Sequence, residues 1–530
     1  MNTKTRKNVL AGLILGGLLS SCGSPSGYRI ENVSNAEGSV GYEVFVGSFC
    51  DSNGDGIGDL KGIESKLGYL QRLGIKYLWL TPIHPSDSYH KYDVKDYYAI
   101  DPSFGAMEDF ESLVAKANEK GISILLDMVF NHTSRKGTWF RSWAEAVNKG
   151  DQQSKFYHDF VPIRNGEGKA GYSSFPEVGG MYLESNFSSD MPEFNMDSPN
   201  VRDEFKKIQR FWLSKGVGGF RYDAVKYYYC TNSNGNITGD AEKNVALMKE
   251  LADDAKSVKP DVYLVAECWV DDPSLLATYC KSGMNLFHFP TSELNFSGSM
   301  GFYLTINGAD AFSSAVESAN AAYKEARKDS DFVYFISNHD QDRWGSFGNG
   351  KSKAAERRKA MVSAYLLTPG TPFMYYGEEI EMVGRRGENE KTDAARRQAM
   401  VWGGNEPMCA QPEGVVFPGQ VTKGVKEAEA DGYSMLQHYR KVISIRNKYG
   451  KMFRYGTFSA IPYESKRCAG FRIDYEGETY YLIHNANGND AKLSVPGASK
   501  IVETIPTSKT DPSFDGETLS LPFYSSVLMK

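Results

Sequence analysis

The chain is short of cysteine. Seven stand in 530 residues, at 22, 50, 230, 268, 280, 409 and 468, and beyond position 22 their spacings repeat no zinc-ligand or redox pattern. Positive charge is equally unclustered: past the N-terminus there is no long basic run, and the net charge is −6. A chain of that kind lacks the electrostatic footprint of a nucleic-acid binder, so no nucleic-acid partner is expected. No internal repeat is visible, which sets solenoids and propellers aside. Only one apolar stretch stands out as a targeting signal, and no other segment could span a bilayer as a helix.

What is present is an ordinary globular composition, rich in Gly, Tyr and Phe (52, 32 and 29 residues). The length accommodates about two or three domains with a large core. Most of the aromatic rings are expected inside that core, and some suit the stacking that sugars invite.

The N-terminus reads as a targeting segment. Lys4, Arg6 and Lys7 make a positive start, and Val9 to Leu19 are apolar but too short to cross a membrane. The run ends in Leu19-Ser20-Ser21-Cys22-Gly23, which resembles the lipobox of bacterial lipoproteins. That resemblance implies removal of 1–21, lipidation of Cys22, and a tether over 22–38 rich in Gly, Ser and Asn. It predicts an exported lipoprotein of the bacterial cell envelope, at the outer membrane and cell surface. Export permits disulfides, and the sequence selects no pairing.

From about 40 to 380, strand-like and helix-like stretches alternate. Tyr42 to Val46 is a first strand, Ile63 to Leu73 a helix, and Lys76 to Leu80 a second strand. Phe110, Leu113, Val114 and Ala117 recur at helical spacing, and Ile122 to Val129 follows as a strand. Such alternation predicts a (β/α)8 barrel, a parallel sheet closed on itself. Residues 133–195 are rich in Gly, Ser, Asn and aromatics without clear helical periodicity, and read as a subdomain inserted after strand 3. Tyr433 to Lys448 reads as one long helix. Short alternating runs such as Gly470 to Tyr475 and Thr479 to His484 predict a C-terminal antiparallel β-sandwich. The expected organisation is therefore barrel over 39–132 and 196–450, insert over 133–195, and sandwich over 451–530.

Three acids sit at the C-terminal ends of short apolar runs: Asp223 in Gly219-Phe220-Arg221-Tyr222-Asp223, Glu267 in Val265-Ala266-Glu267, and Asp340 in Phe335-Ile336-Ser337-Asn338-His339-Asp340. A barrel presents catalytic groups at that end of its strands, and carboxylates so presented suggest glycosidic bond chemistry.

With Asp127-Met128-Val129-Phe130-Asn131-His132, Gly74 to Pro82, Gly370 to Glu378 and Met191-Pro192-Glu193-Phe194-Asn195, these words resemble, in order, those of the α-amylase family of glycoside hydrolases (family 13) over residues 40–530. The Met191 word is similar to that of enzymes intermediate between oligo-1,6-glucosidases and neopullulanases. With the lipobox, the combination looks like the lipid-anchored surface starch amylases of Gram-negative bacteria.

The resemblance implies Asp223 as nucleophile, Glu267 as acid/base and Asp340 as transition-state stabiliser. Arg221, on the same strand face as Asp223, can hold the nucleophile ionised. Tyr92 would stack on the sugar, His132 and His339 would donate to its hydroxyls, and His90 stands where endo-acting amylases carry a histidine. Lys226 would contact sugar beyond the cleavage point. Tyr227 stands where the family usually has His, which leaves the leaving-side subsites open. Calcium is the implied cofactor, in a loop using Asp51, Asn53, Asp55, Ile57 and Asp59, with oxygens at alternate positions and glycine at the turn. A second site would use Asn131, with Glu193 in place of the usual Asp.

The function these implications favour is a retaining, endo-acting α-amylase on starch, amylose and maltooligosaccharides, working alone or with a starch-uptake complex. Neopullulanase or cyclomaltodextrinase, 4-α-glucanotransferase and a non-catalytic starch-binding lipoprotein are the alternatives.

Overall fold

The computed structural model describes residues 40–292, 309–346, 353–386, 393–413, 415, 423–463 and 467–530. Cys22, its lipobox and the tether lie outside the described residues.

Eight short parallel strands form one sheet: β1 Gly41–Val44, β2 Tyr77–Leu80, β3 Ser123–Met128, β4 Gly219–Tyr222, β5 Tyr263–Ala266, β6 Asn285–Phe287, β7 Phe332–Val333 and β8 Phe373–Tyr375. They follow in the order β7-β6-β5-β4-β3-β2-β1-β8. The backbone amides of Thr371 and Phe373 donate to the carbonyls of Phe332 (2.9 Å) and Tyr334 (2.7 Å), which brings the two edge strands together and closes the barrel. Helices separate the strands, among them α1 Leu60–Leu73, α2 Met107–Glu119, α3 Thr138–Lys149, α4 Pro199–Ser214, α5 Ala241–Val258, α6 Pro273–Cys280, α7 Ala309–Ala326, α8 Ala354–Leu366 and α9 Met435–Lys448. Their starts and stops are written locally. Asp59 caps α1 through the Gly62 amide, and Gly74 ends it at φ 90.

Each barrel strand obeys a period of two. Outward residues such as Leu78, Leu80, Ile124, Leu126, Phe220 and Tyr222 join the main core under the helices. Inward residues Tyr77, Trp79, Leu125, Tyr263, Val265, Phe287, Val333 and Phe373 form a separate plug along the barrel axis. Gly41 and Gly219 belong to this inner layer. A β-carbon on Gly41 would lie 2.4 Å from the Phe373 ring, and one on Gly219 would lie 1.9 Å from the Tyr263 carbonyl oxygen. Continuing the same inward positions toward the strand ends gives Glu43, Asp127, Arg221, Asp223 and Glu267. The interior is therefore apolar at the bottom and lined by ionisable groups at the top.

The insert differs from expectation in one respect. Thr138–Lys149 is a helix, burying Trp139, Phe140, Trp143, Ala144 and Ala146 and ending at Gly150 (φ 67). Its apolar residues do recur at helical spacing, but over only three turns between Gly- and Ser-rich flanks. The insert also carries a hairpin, Tyr172–Phe175 with Met181–Glu184, among turns and irregular segments.

A short helix, Gly450–Tyr455, crosses the expected 450/451 boundary and leads into two antiparallel sheets. The first contains β9 Thr457–Ala460, β10 Cys468–Tyr475, β11 Glu478–Asn485, β13 Ile501–Ile505 and β16 Ser526–Met529, in the order β9-β10-β11-β16-β13. The second contains β12 Ala491–Ser494, β14 Ser513–Phe514 and β15 Thr518–Leu521. Cys468, Ile483, Leu493, Leu519, Leu521, Val527 and Met529 fill the space between them. Cys50, Cys230, Cys268, Cys280, Cys409 and Cys468 are all free thiols.

Candidate active site

At the C-terminal end of the barrel lies a cavity of ≈ 460 Å³. Asp223, Glu267 and Asp340 line it together with Tyr92, His90 and His132. Asp223 and Glu267 directly follow β4 and β5 and Asp340 stands on the loop after β7, and 117 positions of chain separate the first from the last.

Arg221 organises the floor. Its side chain is 2% exposed, and its Nη1 donates to Asp127 Oδ1 (2.7 Å) and Asp223 Oδ1 (2.5 Å) while Nη2 donates to Glu267 Oε2 (3.0 Å). One guanidinium thus bridges three carboxylates. The strand register puts Asp127 beside Arg221, and Arg221 beside Val265, two residues before Glu267. Glu267 Oε2 also accepts from the backbone amide of Ala224 (2.9 Å). That amide is aimed by a left-handed backbone at Ala224 (φ 50, ψ 38), a costly conformation for a residue with a β-carbon.

A second network holds Asp340. His339 Nε2 lies 3.0 Å from Asp340 Oδ2, and its Nδ1 lies 2.5 Å from Glu43 Oε1. Tyr92 Oη sits 2.8 Å from the same Nε2 and donates to Asp127 Oδ2 at 3.0 Å. The Tyr92 and His339 rings are near parallel, 5.4 Å apart. Arg397 Nη2 donates to Asp340 Oδ1 (2.7 Å) and its Nη1 to Tyr89 Oη (3.1 Å). Both His339 nitrogens are engaged within this network, so the ring lies behind Asp340 rather than on the cavity wall.

The two networks set the charges in opposite directions. Burial pushes the Asp223 carboxyl up to about 6; Arg221 opposes that rise and Asp127 adds to it. Burial lifts Glu267 to about 7 against Arg221, with Asp223 and Asp340 adding to the rise. Burial also works against an Asp340 anion, but His339 and Arg397 outweigh it and hold that carboxyl far below its usual range. His339 is held up at about 10 although burial opposes its charge, because Asp340 and Glu43 face it. Near neutral pH the cavity holds ionised Asp223 and Asp340 and a Glu267 that keeps its proton longest of the three.

His90 and His132 are pushed down to about 4 by burial and are neutral. His90 Nδ1 accepts from the Tyr92 amide at 3.1 Å. His132 lines the cavity, and its Nε2 is buried without a hydrogen-bond partner. Lys226 stands outside the lining, donating to the Trp269 carbonyl at 3.0 Å.

The lining also includes residues that sequence reasoning did not single out: Tyr89, Phe187, Asp393 and Arg397. Phe187 comes from the insert, is 47% exposed, and meets Tyr227 at 4.7 Å and His132 at 5.2 Å. No local pattern marks these positions.

In the loop 51–59, Asp51 accepts from the amides of Asn53 (2.9 Å), Gly54 (2.7 Å) and Gly56 (2.8 Å). Asp55 accepts from Ile57, and Asp59 from Ser52 and Gly62. Gly54 and Gly56 take φ of 86 and 89. The donor set is all oxygen around a left-handed turn, which fits a hard cation in chemistry. The Asp51, Asp55 and Asp59 carboxyls here serve backbone amides and do not gather within 4.8 Å of one another. Among the described residues, Glu184, Glu193 and Cys230 do gather so. The Asn186 amide reaches all three, at 3.1, 3.2 and 3.7 Å. Burial and Glu184 lift Glu193 to about 8.

Residues 43–456 match the family model described as "Alpha amylase, catalytic domain". The chain is 37% identical over 451 residues to Alpha-amylase 3 of Dictyoglomus thermophilum, covering 84% of each. It is 30% identical over 359 residues to the 4-alpha-glucanotransferase of Thermotoga maritima, covering 65% of this chain and 72% of the relative. Among solved structures, Eubacterium rectale Amy13B superposes with a TM-score of 0.86 at 33% identity, over 94% of this chain and 96% of that one.

Proposed function

We propose that this chain, which belongs to the α-amylase family of glycoside hydrolases, is a retaining, endo-acting hydrolase of α-1,4-glucosidic bonds in starch, amylose and maltooligosaccharides. The observation that carries the reading is geometric: three carboxyls line one cavity, Asp223 and Glu267 bridged by the Arg221 guanidinium and Asp340 held apart by His339 and Arg397. Asp223 supplies the nucleophilic oxygen that attacks the anomeric carbon. Glu267 gives its proton to the leaving oxygen, then takes one from the incoming water. Asp340, pinned by His339 and Arg397, stays anionic to stabilise positive charge on the sugar ring. Asp223 and Glu267 share one guanidinium, which favours the ~5–5.5 Å separation of retaining enzymes over the wider gap of inverting ones. His132 and His90, both on the cavity lining, would meet sugar hydroxyls, and Phe187 with Tyr227 offers an aromatic wall on the side of the insert.

Endo action on α-1,4 bonds rests on His90 in the cavity wall and on the similarity to Alpha-amylase 3, while the similarity to the 4-alpha-glucanotransferase makes transfer the rival outcome of the test. The test is the early product profile on long amylose, resolved by chain length. Mixed short maltooligosaccharides with rapid loss of iodine colour are expected. Glucose or a single disaccharide would move the assignment to an exo-hydrolase, and products longer than the substrate to a glucanotransferase.

The same proposal includes a calcium ion held by Asp51, Asn53, Asp55, the Ile57 carbonyl and Asp59, where it would brace the loop that follows β1. It also includes lipidation at Cys22 with display at the cell envelope. Cys22→Ser is expected to move the protein from the membrane fraction to the soluble one; unchanged fractionation would remove the anchor from the reading.

A further inference from the structure

A second concavity, ≈ 640 Å³, lies where the end of α9 and the Gly450–Tyr455 helix meet the β10–β11 hairpin. Its position in the fold separates it from the active site. The Asn447 amide donates to the Gly74 carbonyl, just before β2 (2.9 Å), and the Gly370 amide, just before β8, donates to the Phe453 carbonyl (3.0 Å). Arg454 pairs with Asp331, just before β7, at 3.4 Å. The groove therefore sits beside the N-terminal ends of the barrel strands, while the catalytic cavity opens at their C-terminal ends.

Tyr449, Tyr475 and Tyr480 line it. Their rings are held by their hydroxyls: Tyr475 Oη donates to Glu476 Oε1 (2.8 Å), Tyr480 Oη to Glu478 Oε2 (2.6 Å), and Tyr449 Oη to Glu503 Oε1 (3.4 Å). The Tyr449 and Tyr480 rings meet at 6.0 Å and 67°. Glu476 (φ 50) and Gly477 (φ 80) make the two-residue turn that sets Tyr475 and Glu478 opposite each other. Two lysines, 448 and 451, and two glutamates, 476 and 478, share the wall. Asn447, 3% exposed, also lines it, and its Oδ1 has no partner.

An ion would find no excess of opposite charge here, and an apolar ligand would have to bury five polar groups. A neutral polyol meets both requirements, stacking its C–H faces on fixed rings while its hydroxyls pair with interleaved donors and acceptors. We propose that this groove is a second, non-catalytic binding site for α-glucan chains. It rests on the reading of starch as substrate. It lies too far round the barrel to extend the catalytic cleft, so it holds the enzyme on an insoluble or long polymer.

The test uses the chain with Asp223→Asn, to stop turnover, titrated with maltoheptaose by calorimetry. Two sites are expected, and one in the Tyr475→Ala/Tyr480→Ala variant. In parallel, retention on starch granules should drop roughly tenfold, as loss of about 1.4 kcal/mol implies. In the catalytically intact background the same double variant should hydrolyse maltotriose within about twofold of the parent, which certifies its fold. Tyr475→Phe/Tyr480→Phe, which keeps the rings, should retain the second site and provides a gentler check. One site in every variant, or unchanged granule retention, overturns the proposal. Absence of any site together with absence of hydrolysis would instead refute the underlying assignment of substrate.

Discussion

Arg221→Lys tests the charge logic of the site most directly. Under the proposed mechanism the parent needs Asp223 ionised and Glu267 protonated, with carboxyls at about 6 and about 7. Two such macroscopic steps give a narrow bell centred near pH 6.5, where about 60% of molecules carry the right proton count. The same arithmetic leaves about 9% at pH 5 and about 3% at pH 8.5, so kcat/KM should fall to roughly one seventh and one twentieth of its peak. Lysine keeps the positive charge but cannot bridge Asp127, Asp223 and Glu267 as the guanidinium does. Losing two charge-assisted hydrogen bonds of about 1.5–3 kcal/mol each removes about 3–6 kcal/mol from the site. If half of that is felt in the transition state, kcat/KM drops by about 10- to 150-fold. Burial and Asp127 both raise the Asp223 carboxyl and Arg221 alone among its bonded partners lowers it, so the acidic limb must also move to higher pH. The assay is kcat/KM on a soluble maltooligosaccharide from pH 4.5 to 9. A variant within about threefold of the parent with its acidic limb unmoved would refute the shared-guanidinium argument.

Glu267→Gln should lower kcat/KM on glucans by about 10²–10⁴-fold, yet cost far less on an aryl α-glucoside whose leaving group departs without a proton. Equal losses on both substrates would take the acid role away from Glu267. Under the proposal of a bound calcium ion, a chelator should lower the melting temperature reversibly, since an ion at a hundred times its Kd contributes about 2.7 kcal/mol. Asp55→Ala should erase that difference, and a melting temperature indifferent to the chelator would mean the 51–59 loop stands without metal.

Much of the molecule was legible in order along the chain. Strand period is a local property: an inward position recurs every second residue, so Leu125-x-Asp127 and Val265-x-Glu267 already say that apolar side chains give way to acids along one face. Position at the C-terminal end of a strand is equally local, and it is what delivers Asp223 and Glu267 to the mouth of a barrel. Helix α3 was obscured because its three turns lie between segments of different composition, and its tryptophans read as loop aromatics until they pack on Phe160 and Phe194.

Other features exist only once the chain has closed on itself. Glu43 on β1 and His339 on the loop after β7 are 296 positions apart, and Asp340 and Arg397 are 57 apart, with no periodicity to relate either pair. Which carboxyl keeps its proton is decided the same way, because burial and shared cations are properties of the assembled site. The sequence by itself was enough for the barrel, the terminal antiparallel sheets and the three acids that line the cavity, since strand period and adjacent residues carry them. The tertiary structure alone decided their protonation order, the Arg397 and Phe187 walls of the cavity, and the tyrosine groove on the opposite face, because each depends on long-range contacts that no local spacing encodes.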